Sequence, residues 1–288
     1  MASLSPLKSC YNSLMLKYRV ITGVVGVPLI ILAIWFADPW PWFGLLIAAA
    51  ALAGAYEFYR MADFDRREPL LYLGLLLTLA LVLSPQYMDA NLLPIVITGT
   101  MLVSLICLLL RPSRERAFHD WAWTVVGALY IGWMLSYWLN LRGLEDGRNW
   151  VYLAMLTTFA NDTGAFFVGR ARGKHKLAPG ISPSKTWEGA IGGLISAILA
   201  SIVIALALRL ISLRLGPPFI FAYWQIILLG FLVSLFAQLG DLIESLLKRN
   251  MEVKESGTLL PGHGGILDRF DSLIFVGAVI YYYAIWVV

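Results

Sequence analysis

The sequence predicts an all-α polytopic integral membrane protein that crosses the bilayer about nine times. Hydrophobic residues make up 59% of the 288 residues, and charged residues only 14%. Soluble domains average roughly 45–50% apolar and about 25% charged residues. A chain of this size and this composition has too few polar residues to cover the surface of a soluble fold. The composition therefore excludes a soluble globular protein and a disordered one.

Apolar segments follow one another along the chain, most of them near the ~20 residues that a helix needs to cross a bilayer. Because backbone groups in lipid must be satisfied internally, and because the alternating pattern of barrel strands is absent, each segment is expected to be a helix. The third segment is the shortest. The segments cover 20–37, 42–62, 69–84, 92–110, 121–141, 151–169, 187–211, 224–247 and 270–288.

Lysine and arginine are distributed unevenly between the two sets of loops. All but four of the 22 Lys and Arg residues fall on the side of the N-terminus. Cytoplasmic loops are enriched in these residues, so we expect the N-terminus in the cytoplasm and the C-terminus outside. No cleavable signal peptide is expected, because no small-residue cleavage site follows the first apolar run. The four residues on the opposite side are Arg142, Arg148, Arg209 and Arg214.

The chain contains no internal repeat and no linker long enough to separate two independent domains. Its two cysteines, Cys10 and Cys107, exclude a disulfide framework. We divide the helices into an N-terminal group over 1–141 and a C-terminal group over 142–288, and the second group carries the polar loops.

Carboxylates inside the last apolar segments are the first candidates for chemistry, because acids at membrane depth are costly and usually functional. Asp241 and Glu244 share one helix face, and so do Asp268 and Asp271, because each pair is spaced i,i+3. The loop 248–269 leaves and re-enters the membrane on one side, so the two pairs at its ends are able to converge. Converging carboxylates repel one another unless a cation lies between them, and hard oxygen ligands suit Mg²⁺. Asp162 in the sixth segment is a further candidate ligand.

A purely structural interpretation explains only one of these pairs. Asp268 and Asp271 stand at the start of a segment, where acids favour a helix N-terminus. Asp241 and Glu244 lie near a helix C-terminal end, where the helix dipole disfavours anions. The metal interpretation is therefore the stronger one.

The loop 248–269 contains a glycine-rich turn that leads into a helix. Bare glycine backbone approaches phosphate closely, and a helix N-terminus donates N–H groups to it. Alone this turn is a weak signal, but it follows the basic pair Lys248-Arg249 and precedes the acid pair. The turn runs Pro261-Gly262-His263-Gly264-Gly265.

The loop 170–186 is also rich in cations. Lys185 precedes a helix and opposes its dipole, so we expect it to face an anion. Ser184 or Thr186 is explained equally well as a helix cap. We assign Arg170 and Arg172 to anionic lipid. In the second segment, Glu57 is interpreted either as a buried carboxylate or as one that snorkels towards Arg60.

One run of residues at fixed spacing stands out in the C-terminal half: Ser245, Lys248-Arg249, Lys254-Glu255, Ser256-Gly257, His263-Gly264-Gly265, Asp268-Arg269 and Asp271. This run resembles the signature of the phosphatidate cytidylyltransferase (CDP-diacylglycerol synthase) family. Segments 159–169 and 173–193 resemble the family as well. Three positions depart from the family pattern: Glu255 replaces Asp, Phe159 replaces Trp and Phe166 replaces Tyr.

The resemblance implies that CTP and phosphatidate react to give CDP-diacylglycerol and pyrophosphate. It implies Mg²⁺, with K⁺ as an optional second cation. The metal ligands would be Asp241 and Asp268, with Glu244, Asp271 and Asp162 as auxiliary ligands. Lys248, Arg249, Arg269 and Lys185 would hold phosphates, and His263 would bind a phosphate or carry a proton. Substrate-binding roles fall to Ser182, Lys254, Gly262, Gly264 and Gly265.

The expected setting is the plasma (inner) membrane of a prokaryote, with the active site on the cytoplasmic side. The partners would be membrane lipid and a second copy in a homodimer, with no nucleic acid. Two alternatives stay open. One is a CTP-dependent enzyme that acts on another lipid phosphate or a prenol. The other is a secondary transporter, although such proteins tend to carry inverted repeats.

Overall fold

The computed structural model describes residues 28–35, 41–62, 69–87, 92–109, 117–215, 221–259 and 264–287, together with Val24, Gly26 and Phe219. The described part is almost entirely helical, and each predicted apolar segment falls on a helix. Segment 20–37 is covered only in part. The helices are α1 at 28–35, α2 Trp42–Met61, α3 Pro69–Tyr87, α4 Leu92–Leu109, α5 Ala117–Gly143, α6 Gly147–Arg172, α7 Trp187–Leu215, α8 Tyr223–Asn250 and α9 Leu267–Trp286.

Four of the described helices are long and apolar enough to cross a membrane: α2, α5, α7 and α8. The apolar stretches Leu70–Gln86 and Leu93–Leu109 are shorter. Both α6 and α9 carry polar and acidic residues of the predicted site.

The outer face of α7 shows how this fold meets its surroundings. Ile191, Ile195, Leu199 and Val203 recur every four residues, and each is more than half exposed. Residues at this spacing lie on one side of a helix. An apolar stripe of this length left uncovered by protein is what a lipid-facing helix presents.

The N-terminal and C-terminal helices share one apolar core. Trp138 on α5 donates its indole N–H to the Leu273 carbonyl on α9 at 3.0 Å. Beside it, Gly277 lets α9 approach closely, because a Cβ there would lie 2.5 Å from the indole nitrogen. The core includes Phe58 and Leu135 from the first group and Val233 and Ile274 from the second. The C-terminal helices are thereby held against the N-terminal ones.

A π-helical segment, Ala128–Trp133, interrupts α5. At Gly132 a Cβ would lie 2.8 Å from the Thr78 carbonyl oxygen, so α3 and α5 touch backbone to backbone there. Segments of this kind occur often at functional sites. This one carries Tyr130, which lies beside the carboxylates described below.

Small residues also bring α6 and α7 into close contact. A Cβ on Gly192 would lie 2.5–2.8 Å from the Val168 side chain, and one on Gly193 would lie 2.8 Å from Asn161 Oδ1. Glycine and other small residues allow such close approach of helices in membranes. This packing fixes α6 beside α7 and sets one wall of the candidate site.

Candidate active site

A two-stranded antiparallel hairpin connects α6 to α7. Its strands are β1 Lys176–Ala178 and β2 Ser182–Thr186. Thr186 caps α7 by accepting a hydrogen bond from the Gly189 N–H at 3.1 Å. The Glu188 carboxylate accepts from the His175 backbone N–H at 3.2 Å and contacts His175 Nδ1 at 2.6 Å. The first turn of α7 therefore fixes the hairpin and directs the residues just before it.

A cavity of about 430 Å³ lies between α6, the hairpin, α7 and α8. Its lining combines polar groups with the aromatic ring of Phe166, which is 57% exposed. The cavity therefore has both a polar and an apolar wall. The lining includes Asn161, Asp162, Phe166, Lys185, Gln238 and Asp241.

Lys185 forms the first ion pair of the site. Its Nζ lies 2.7 Å from Asp241 Oδ1, so it faces an anion as predicted. The carboxylates of Asp162, Asp241 and Asp271 come from α6, α8 and α9, and they lie close enough to repel one another. Lys185 thus forms an ion pair with one of three acids that repel one another in this part of the site.

Lys248 joins the other two acids. Its ammonium contacts Glu244, one helical turn earlier on α8, and lies 2.7 Å from Asp268 Oδ1 on α9. The Glu244 side chain is completely buried, and its Oε1 has no hydrogen-bond partner among the described residues. Lys248 is therefore the counter-ion both of the buried Glu244 and of Asp268, which the sequence predicts to be a metal ligand.

The backbone of the loop before α9 fixes the second oxygen of Asp268. Oδ2 accepts hydrogen bonds from the Ser256 N–H at 3.1 Å and the Gly265 N–H at 3.0 Å. The adjacent Gly264 has a φ of 80°, a backbone conformation that residues other than glycine rarely adopt. The glycines of the turn are thus needed to bring the backbone up to Asp268.

The five predicted acids gather at one end of the bundle, but they do not form a single cluster. Within the described ranges, no three His, Cys, Asp or Glu side chains are placed to hold one metal ion together. Lysine ammoniums occupy the gaps between the carboxylates. Lys248 reaches its gap because it lies one turn after Glu244 on the same face of α8.

The other predicted residues surround these pairs at varying distance. Arg249 donates its Nε–H to the Ile181 carbonyl at 3.2 Å and so ties α8 to the hairpin. The Ser182 and Ser184 hydroxyls lie 3.5 Å apart on the hairpin. Lys254 and Arg269 are exposed. Gly262 and His263 lie outside the described residues.

Sequence reasoning missed an amide network in the wall of the cavity. Asn161 donates its Nδ2–H to Asp162 Oδ1 at 3.0 Å and accepts from the Ser234 hydroxyl at 2.7 Å. Gln238 donates to Ser234 Oγ at 2.9 Å and to the Ala190 carbonyl at 3.1 Å. The i,i+4 spacing of Ser234 and Gln238 in an apolar stretch of α8 was the available signal.

Two residues of the N-terminal helices also lie near these groups, and sequence reasoning missed the first of them. Tyr130 has a buried hydroxyl without a hydrogen-bond partner in the described part of the chain, and it lies within electrostatic range of Glu244 and Asp271. Of the two interpretations of Glu57, the buried carboxylate is confirmed and the snorkelling one is wrong, because its side chain is only 2% exposed and bonds to the loop before α9 and to the first residue of that helix.

Comparison with known proteins gives one consistent result. Residues 17–287 match the cytidylyltransferase family. The phosphatidate cytidylyltransferase of Bacillus subtilis (strain 168) is 34% identical over 273 residues, which are 93% of this chain and 97% of that protein. The enzyme of that name from Staphylococcus epidermidis (strain ATCC 35984) is 35% identical over 91% of this chain and 96% of its own length. The one from Staphylococcus haemolyticus (strain JCSC1435) is 44% identical over 57% of this chain and 59% of its own length.

Proposed function

The chain belongs to the cytidylyltransferase family, and we propose that it makes CDP-diacylglycerol from CTP and phosphatidate. A phosphate oxygen of phosphatidate attacks the α-phosphorus of CTP and forms a new P–O bond. The bond from the α-phosphorus to the oxygen that bridges the α- and β-phosphates breaks, and pyrophosphate leaves with that electron pair. The attacking phosphate is already an anion, so the reaction needs no strong base.

One observation carries this proposal beyond family membership: the Lys185–Asp241 ion pair lines a cavity at one end of the bundle, and Lys248 with its two carboxylates follows on the next turns of α8. Lys185 and Lys248 hold ammonium groups among five carboxylates. The difficulty of the reaction is repulsion between two polyanions and the charge on the leaving pyrophosphate. Catalysis is then chiefly positioning and charge neutralisation. Substrate phosphates would draw these lysines away from the acids that now hold them.

The residues of the site also fit Mg²⁺ by their chemistry. Their oxygens outnumber the local cations, and one oxygen of Glu244 is buried without a hydrogen-bond partner among the described residues. Mg²⁺ is usually bound by one or two carboxylates together with substrate phosphates, so it needs no preformed cluster of three acids. Asp241 and Asp268 are the proposed ligands, and Glu244, Asp271 and Asp162 support them. When bound, Mg²⁺ polarises the phosphate and neutralises its charge. K⁺ is proposed as an optional second cation.

Basic and glycine residues around the pairs are proposed to bind the phosphates. Arg249 and Arg269 suit bidentate contacts with phosphate oxygens. Lys254 and Ser182 would contact the nucleotide from the loop and the hairpin. The turn at Gly262 and Gly264 would offer backbone N–H groups to a phosphate. Gly265, whose own N–H donates to Asp268 Oδ2, would let the backbone come close, and His263 would bind a phosphate or carry a proton.

Phosphatidate is proposed to enter from the lipid through the apolar wall of the cavity. Phe166 lines the cavity and is exposed on the outer face of α6. An opening between helices would admit the acyl chains while the phosphate reaches Lys185.

We further propose that the chain crosses the membrane nine times and that its active site faces the cytoplasm at a prokaryotic plasma membrane. We also propose that it forms a homodimer.

The test is a product assay on purified protein in detergent with Mg²⁺, α-labelled CTP and phosphatidate. We expect label in the lipid phase, and we expect EDTA to abolish it. If phosphatidate gives no labelled lipid, its role as substrate is refuted. Other lipid phosphates and prenols are then assayed, and counterflow without covalent change would identify a transporter.

The proposed metal ligands are tested by Asp241→Asn and Asp268→Asn. Each variant removes one negative charge and keeps the side-chain volume, so we expect folded protein without measurable turnover. Gel filtration and thermal unfolding report the fold. Near-normal activity of either variant would refute the two-ligand proposal.

A further inference from the structure

Glu57 is a buried carboxylate that the proposed reaction does not use. It lies about one turn before the end of α2, far in sequence from the acids of α8 and α9. The side chain is only 2% exposed, and Oε1 has no hydrogen-bond partner in the described part of the chain. Burying a carboxylate is costly unless hydrogen bonds compensate it. The hydrogen bonds that Glu57 does make with described residues, all of them through Oε2, therefore indicate its role.

Both described partners of Glu57 belong to the segment that leads into α9. Oε2 accepts a hydrogen bond from the backbone N–H of Leu267, the first residue of α9, at 2.9 Å. The same oxygen accepts from the Ser256 hydroxyl at 3.1 Å. The first N–H groups of a helix have no partner within the helix. Glu57 on α2 supplies the acceptor for one of these N–H groups, and its negative charge is favourable at the N-terminus of α9.

Ser256 passes this contact on to Asp268. Its hydroxyl oxygen accepts from the Asp268 N–H at 3.3 Å, while its own N–H donates to Asp268 Oδ2 at 3.1 Å. Ser256 therefore contacts both the backbone and the side chain of Asp268. Lys248 holds the other oxygen of that carboxylate. With the Gly265 N–H also on Oδ2, the carboxylate is fixed at both oxygens.

The space around Glu57 is closed by two glycines. A Cβ on Gly265 would lie 2.6 Å from Glu57 Oε2, and a Cβ on Gly257 would collide with Oε1. The loop can approach the carboxylate only because both positions lack a side chain. The contact between α2 and the loop is therefore closely packed and depends on these two glycines.

We propose that Glu57 is a positioning residue that acts on Asp268 through Ser256 and the first turn of α9. The role rests on the proposed function, because Asp268 is a ligand only if that proposal holds. It gives the N-terminal helices a part in the reaction, since α2 contributes a group that orients the site without touching substrate.

The experiment compares Glu57→Ala, Glu57→Gln and Ser256→Ala with the control Tyr59→Phe. The control removes one buried hydrogen bond of the same helix, from the Tyr59 hydroxyl to the Thr124 carbonyl at 2.9 Å, away from the loop. We expect Glu57→Ala to lower kcat per folded molecule about 10- to 100-fold, as is typical for residues that orient metal ligands. We expect KM for CTP to change little, and Glu57→Gln to restore most of kcat because its amide oxygen still accepts from Leu267.

Two further readouts separate positioning from a merely structural role. The double variant Glu57→Ala/Ser256→Ala should lose little more kcat than the worse single variant, because the two residues act through one path. Hydrogen–deuterium exchange should rise at the amides of 256–268 in Glu57→Ala and stay at the wild-type level there in Tyr59→Phe. Unchanged exchange at these amides, or an unchanged kcat in Glu57→Ala, would overturn the proposal.

Hydrogen exchange does not depend on the reaction, so the two proposals fail in different ways. Absence of cytidylyl transfer by the wild-type protein refutes the proposed function. Wild-type transfer with no effect of Glu57→Ala refutes the positioning role alone.

Discussion

The balance of charge at single residues sets the energetics of this site. Glu244 is wholly buried, and Lys248 is its cationic partner. Removing one member of a buried ion pair leaves the other charge uncompensated, which typically costs about 3–5 kcal/mol. Lys248 therefore has a structural role beside its proposed role with phosphate, and the two roles are separable by experiment.

We predict that Lys248→Met lowers the free energy of unfolding by about 3–5 kcal/mol and abolishes transfer. Adding Glu244→Gln should restore most of the stability, because the buried charge is then gone, but not the activity. Thermal unfolding in detergent measures the first effect and the labelled-CTP assay the second. Lys176→Met is the control, since Lys176 is exposed on the hairpin, and surface changes usually stay within about 0.5 kcal/mol. Equal stability of the single and double variants would contradict this account.

At the scale of elements, close packing of α6 on α7 decides where Asp162 stands relative to Asp241. The contact depends on residues that lack a side chain, above all Gly192 beside Val168. The hairpin and the cap of α7 by Thr186 then direct Lys185 towards α8. A small change in this packing would move one wall of the cavity.

We predict that Gly192→Ala destabilises the protein by about 1–3 kcal/mol, the usual cost of inserting a methyl group into a packed interface. The new Cβ would lie 2.5 Å from the Val168 Cβ. The matched control is Gly99→Ala in α4, where nothing lies within 4 Å. The control should be neutral or slightly stabilising, because alanine favours helix more than glycine does. A melting temperature of Gly192→Ala at or above that of the control would show that the contact is loose.

At the scale of the whole molecule, the site draws on the same end of many helices. It uses the ends of α2, α6 and α8 and the starts of α7 and α9, and these ends meet in space. The lysines and arginines of that end are also those that the sequence predicts to lie on the cytoplasmic side. The exposed apolar face of α7 separates this end from the other.

We predict that the two ends of α7 lie on opposite sides of the membrane. In a background of Cys10→Ser and Cys107→Ser, a membrane-impermeant maleimide should label Arg214→Cys in intact cells. It should label Lys176→Cys only after permeabilisation, because the side richer in Lys and Arg faces the cytoplasm. The reverse pattern would invert the orientation, and labelling of both positions from one side would show that α7 does not cross.

The sequence by itself determined the helices, the acids and the family. Apolar runs and i,i+3 spacing are local properties, so they located α2 to α9 and the pairs Asp241–Glu244 and Asp268–Asp271 without any knowledge of the fold. Four helices satisfy the length and hydropathy of a membrane span, while the number of crossings and the orientation stay predictions.

Only the tertiary structure decided which groups meet. The sequence indicated four converging acids, whereas the structure pairs Lys185 with Asp241 and places Lys248 between Glu244 and Asp268. It also brought Glu57 to Ser256, across 199 positions of the chain. Periodicity along a chain reports which face of a helix a residue occupies, but not which helix that face meets. Contacts between distant helices depend on packing, which no local pattern encodes.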